Sequence, residues 1–120
     1  MKSSELKGKY DEAVRQALAA IQANGDQRQL AAISVCDEVV ATLVKMETNL
    51  LEGVKAGLIE ICEQIAAEQT TPGTPERVVL ERVAGATKGL TEAVSEAFKQ
   101  HRDVVEYNRD RFILGKVKAE

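Results

Sequence analysis

Apolar residues recur at spacings of three and four along almost the whole chain, and two short breaks divide the pattern into three helical stretches. Leu6, Tyr10, Ala13, Val14, Ala17, Leu18 and Ile21 form the first stripe, which predicts a helix over residues 4–23. Asn24-Gly25 supplies a left-handed stop, and Asp26 is placed to cap the next helix at once. A turn this short makes the first two helices antiparallel neighbours. The second stripe is Cys36, Val40, Leu43, Leu50, Val54, Leu58, Ile61 and Ile65, interrupted by Glu47, and predicts a long helix over residues 27–69. Val39, Val44, Met46, Leu51, Ile59 and Cys62 widen its apolar arc beyond a coiled-coil seam, so more than one helix is needed to cover it. Thr48-Asn49 with Glu52 resembles a capping box, a place for a kink. With no loop there, the expectation is a bent but continuous rod.

Thr70-Thr71-Pro72-Gly73-Thr74-Pro75 is the corner. Thr74 is the predicted cap, Pro75 sits where its missing N–H costs nothing, and Glu76 favours the positive helix start. A third helix follows over residues 75–114, with the stripe Val79, Val83, Ala86, Leu90, Val94, Ala97, Val104, Val105 and Phe112, and Gly115 as its stop. The fold class is therefore all-α: one domain over residues 1–120, with a short N-terminal helix packed on a long antiparallel helical hairpin.

If the chain reverses between residues 71 and 72, residues whose numbers sum to about 143 stand level. Gly57 then faces Ala86, and Gly53 faces Leu90, bringing Gly53 and Gly57 to the height of Gly85 and Gly89. A glycine inside a helix costs roughly 1 kcal/mol against alanine. Two matched pairs suggest a helix crossing with close backbone approach. The first helix is about half as long as the other two, so the corner half of the hairpin has only two helices. That half carries Leu50, Leu51, Val54, Leu58 and Ile59 from one arm and Val79 from the other, the predicted partner-binding surface. A second copy would complete a four-helix bundle, which predicts a homodimer, and a partner protein could use the same surface.

Composition supports helices without adding chemistry. Apolar residues make up 44% of the chain but aromatic residues only 3%, so the core is built from small aliphatic side chains. The net charge of −3 gives a nucleic-acid role no electrostatic support. Residues 36–68 hold seven acids against two lysines, while residues 99–118 hold six bases against three acids. Such an imbalance suits solvated faces or charge pairing between segments or copies. No apolar run approaches the ~18 residues of a membrane span, and the polar start Met1-Lys2-Ser3-Ser4-Glu5 leads into no leader-like segment. Cys36 and Cys62 would stand ~39 Å apart on one helix, out of disulfide reach. They read as core thiols in a reducing cytoplasm.

His101, the only histidine, lies between Ala97 and Val104 on the third stripe, where a structural role is expected. Lys99-Gln100-His101-Arg102-Asp103-Val104 lacks the residues that follow a phosphotransfer histidine, and Phe98 stands where a di-iron Glu-x-x-His pair needs its glutamate. Glu60 with Glu63, and Glu92 with Glu96, fall mainly on polar faces. No phosphate-cradling loop, nucleophile constellation, metal-ligand set or cofactor motif is apparent. Nor are the Trp-x-Gly corner and acidic tail motif of small secreted helical hairpins, since tryptophan is absent and Arg111 follows Tyr107 by four places. The sequence thus predicts a non-catalytic helical protein–protein interaction module (adaptor, assembly subunit or chaperone-like factor) acting as a homodimer. The alternative is a helical-bundle sensor holding a small apolar ligand between the two long helices.

Overall fold

The computed structural model describes residues 2–118, and the described elements are all helical. Helix α1 spans Ser3–Asn24 and α2 spans Gln27–Val54. A π-helical turn, Lys55–Ile59, leads into α3, Glu60–Gln69, and after the corner α4 runs Pro75–Ile113. The punctuation follows the local chemistry. Gly25 takes a φ of 68° and donates its N–H to the Ile21 carbonyl, closing α1. Asp26 Oδ1 accepts from the Arg28 and Gln29 N–H groups at 3.0 and 3.2 Å, opening α2. At the corner Gly73 takes a φ of 83°, and Thr74 Oγ1 accepts from the Arg77 N–H at 3.4 Å. After α4, Gly115 takes a φ of 73° while Lys116 N–H returns to the Arg111 carbonyl at 2.8 Å.

No break occurs near Thr48. The irregularity lies further on, where the Glu60 N–H reaches back five residues to the Lys55 carbonyl. A π turn inserts one residue without interrupting the rod, so residues 27–69 stay helical throughout.

Packing groups the described residues into two compact units, 2–41 with 102–118, and 42–101. In the first, α1, the start of α2 and the end of α4 each give one buried aliphatic: Val14, Ile33 and Ile113. Ala17, Leu18, Ile21, Phe112 and Leu114 pack against them. Arg109 of α4 approaches Asp37 of α2 at 2.7 Å, with its Nε–H turned off the carboxylate oxygen. Arg109 also lies 3.4 Å from Asp110. The Tyr10 phenol is raised above its ordinary pKa, first by burial and then by the carboxylate of Asp110. The second unit is a two-helix hairpin joined at the corner.

The four helix-crossing glycines do not make the close approach expected of them. A Cβ built on Gly53, Gly57, Gly85 or Gly89 meets nothing within 4 Å, and all four are exposed. The arms meet through side chains instead, so these glycines carry only their helix cost.

Two predictions follow from backbone and charge. Gly85→Ala and Gly89→Ala should each stabilise the chain by about 0.5–1 kcal/mol, whereas Gly25→Ala and Gly73→Ala, at positive φ, should destabilise by about 1 kcal/mol, as read by urea unfolding. For Tyr10, a raised folded pKa means that the folded state holds the phenol proton more tightly than the unfolded chain. Its contribution is complete below the ordinary value of 10.0 and is lost as pH rises through the raised one. Alkaline titration of stability should therefore fall less steeply in Tyr10→Phe than in the parent.

Candidate functional site

The hairpin unit owes its two unlike faces to the positions that face inward. On α4 the inward series is Arg77, Leu80, Ala84, Thr87, Thr91, Val94 and Phe98, in alternating steps of three and four, with Val78 and Ser95 also half-buried beside it. On the other arm it is Leu43, Glu47, Leu51, Val54, Ile59, Cys62, Ala66 and Thr70. The step from Val54 to Ile59 is five, absorbed by the π turn, and it keeps α3 facing α4. Both series lie one residue beyond much of the stripe expected from the sequence. Glu47, the charged interruption, faces inward and accepts a hydrogen bond from Ser95 Oγ at 2.9 Å. At the corner end Arg77 Nη1 donates to the Ala66 carbonyl at 2.7 Å. The pairs 47/95 and 66/77 match the predicted level sum of about 143.

One step along an α-helix turns a side chain by about 100°. Residues just before each inward position therefore fall on one side of the hairpin, and residues just after it on the other. Because antiparallel helices are related by a two-fold axis, the "after" residues of both arms share one side. A groove of about 470 Å³ there is lined by Lys55, Glu60 and Glu63 from one arm and Lys88, Glu92 and Ser95 from the other, over Leu51, Ile59 and Thr91. Lys88 Nζ bridges it to Glu63 Oε1 at 2.5 Å.

The "before" side is apolar along its length. It carries Met46, Leu50, Gly53, Leu58, Ile61 and Ile65 from the first arm, and Val79, Val83, Ala86, Leu90, Ala93 and Ala97 from α4. The eight large side chains among them are 38–59% exposed. The one charge at an equivalent position is Glu76, in the first turn of α4.

This geometry divides the predicted contact set. Leu50, Leu58 and Val79 are exposed on the apolar side, at 46%, 53% and 59%. Leu51 and Val54 are half-buried between the arms. Ile59 is 6% exposed and belongs to the hairpin interior, a correction that follows from the five-residue step. Ile61, Ile65, Val83 and Leu90 were expected inside the seam and instead extend the outer face. His101 is exposed, and the Asn108 side chain returns a bond to the Val104 carbonyl at 2.8 Å. Cys36 and Cys62 are free and half-buried. Among the described residues no group of three or more His, Cys, Asp or Glu could hold a metal ion. No described helix is long and apolar enough to cross a membrane.

Comparison with protein-family models, curated proteins and solved structures gives no match.

Ile59→Ala removes a buried side chain from the hairpin interior and should cost about 2–4 kcal/mol. Lys88→Ala removes one end of a half-exposed ion pair and should cost under about 1 kcal/mol. Chemical denaturation of the two variants checks the inward assignment.

Proposed function

We propose that this protein is a non-catalytic helical protein–protein interaction module (an adaptor, assembly subunit or chaperone-like factor) that works as a homodimer through the apolar side of its hairpin. The observation that carries this reading is the segregation of the hairpin surface. Large aliphatics line one side and charged residues the other. Scattered apolar residues need no explanation, but a continuous two-helix face does.

Magnitudes favour association. Fully burying a Leu, Ile, Val or Met side chain is worth about 1.5–3 kcal/mol, so half-exposed ones retain about 1 kcal/mol each. Eight per chain give two associating copies on the order of 16 kcal/mol. The loss of translational and rotational freedom costs about 4–15 kcal/mol, so a shared face of this size exceeds the cost. The two free thiols suit a reducing cytoplasm.

The sensor reading has less support. Neither Gly57 nor Ala86 lines the groove between the arms.

Light scattering across a dilution series is the test. The parent chain should show a mass above the monomer that falls on dilution. Leu58→Glu combined with Val83→Glu should be monomeric, and Lys88→Ala with Glu92→Ala should behave as the parent. A chain that is monomeric at every concentration and binds no apolar dye would sink the reading.

A further inference from the structure

We infer that α3 is a two-position element of the hairpin, which the π turn lets rotate about its own axis by about 100° to present either of two apolar rows to α4. One row is Ile59, Cys62 and Ala66, which face α4 in the structure. The other is Leu58, Ile61 and Ile65, which stand outside at 53%, 50% and 38% exposure.

The two rows compete for one seam. The inward positions Leu43, Glu47, Leu51 and Val54 advance in steps of three and four, and Leu58, Ile61 and Ile65 continue those steps without a break. At ~100° per residue, an unbroken α-helix would hold these three within about 40° of the inward direction and turn Ile59, Cys62 and Ala66 about 110° away from it. The π turn at Lys55–Ile59 reverses that choice. Removing the turn therefore exchanges one apolar row for the other while the arm stays helical. Gly57 lies inside the turn, packs against nothing and weakens regular helix at that point.

The surroundings admit the rotation. It carries Ile59 and Cys62 towards the ionic groove, which Ile59 already lines. Leu58, a side chain of equal volume, takes the place of Ile59. The polar ties from α3 to α4 come from long side chains that can let go: Arg77 Nη1 on the Ala66 carbonyl at 2.7 Å and Lys88 Nζ on Glu63 Oε1 at 2.5 Å. A turn of ~100° moves a Cα at the end of α3 by ~3.5 Å. Thr70, extended at φ −128° and ψ 149°, opens a non-helical corner that takes this up. The observed position thus keeps those polar ties, and the other would bury three large aliphatics and restore regular helix. Opposing terms of this kind are what a bistable packing needs.

Rotation withdraws Leu58, Ile61 and Ile65 from the apolar side, so a molecule bound there would hold α3 in the observed position. This consequence rests on the reading of that side as an interaction face. The rotation itself does not, and its test involves α3 and α4 alone.

The test is disulfide trapping in a chain carrying Cys36→Ser and Cys62→Ser. By the register of the 47/95 and 66/77 pairs, residues 58 and 59 both stand level with Ala84. Ile59→Cys with Ala84→Cys should close in the observed position. Leu58→Cys with Ala84→Cys should close only after rotation, because a disulfide needs Cβ atoms that face each other. In a glutathione redox buffer both pairs should crosslink within one chain. Deleting Gly57 shortens the step from Val54 to Ile59 to four, so regular helix then holds Ile59 inward. The deletion should lower the effective concentration of the Leu58 pair by more than about 10-fold and leave the Ile59 pair no weaker. A Leu58 pair that stays open with Gly57 present overturns the rotation, as does one that closes equally well without it. A second variant avoids engineered thiols. Ile59→Lys should keep the parent's helix content by circular dichroism, because rotation delivers the ammonium group to the groove that Glu92 lines. Loss of helix in Ile59→Lys would mean that no second position receives it, and overturns the inference.

Discussion

The hairpin depends on one mismatch of step. α4 presents its inward side chains at intervals of three and four, and the facing arm follows suit except between Val54 and Ile59. Those intervals track a straight seam, but an interval of five must be taken up somewhere. The π turn at Lys55–Ile59 takes it up by adding a residue while leaving the rod helical. Had the arm stayed α-helical, Leu58, Ile61 and Ile65 would have faced α4. Instead Ile59, Cys62 and Ala66 do, and the bulkier set stands outside.

That exchange leaves an unusual interior. Ala84, Thr87 and Thr91 face inward from α4 among Leu80, Val94 and Phe98, opposite Glu47, Cys62 and Ala66. Small and polar side chains hold the arms in register, through the Ser95–Glu47 and Arg77–Ala66 hydrogen bonds. Such hydrogen bonds are worth only about 1 kcal/mol each net of water. The three-helix unit has Val14, Ile33 and Ile113 at its centre. Its polar ties, Arg109 with Asp37 and Tyr10 beside Asp110, join helices across that small core.

Local chemistry made the element ends legible. Gly25 and Gly115 mark their stops because backbone at positive φ turns an N–H back to a late carbonyl, and glycine takes that conformation without strain, whereas α3 ends at an extended Thr70 whose hydroxyl donates to the Ala66 carbonyl. Asp26 and Thr74 mark starts through bonds that span two or three residues. The inward face of the hairpin was less legible, for a tertiary reason. A stripe read from Val79, Val83 and Leu90 assumes that the largest side chains turn inward. In this hairpin they turn outward, to 59%, 47% and 57% exposure. Nothing within a few residues of Gly57 signals the inserted residue. The paired glycines misled for a similar reason: their spacing is compatible with close packing, but the rotation of the arms leaves all four in the open. The candidate surface was therefore half legible, with Leu50, Leu58 and Val79 on it and Ile59 beneath it.

The charged groove has a consequence of its own. Lys55, Glu60, Glu63, Lys88 and Glu92 stand on the side of the hairpin turned away from the aliphatic face. Whatever covers the aliphatic face leaves that ionic side in water. With a copy in place, two identical ionic sides would point in opposite directions, giving the assembly two equivalent handles. Such a pair suits bridging, where two weak grips held together outlast either one alone.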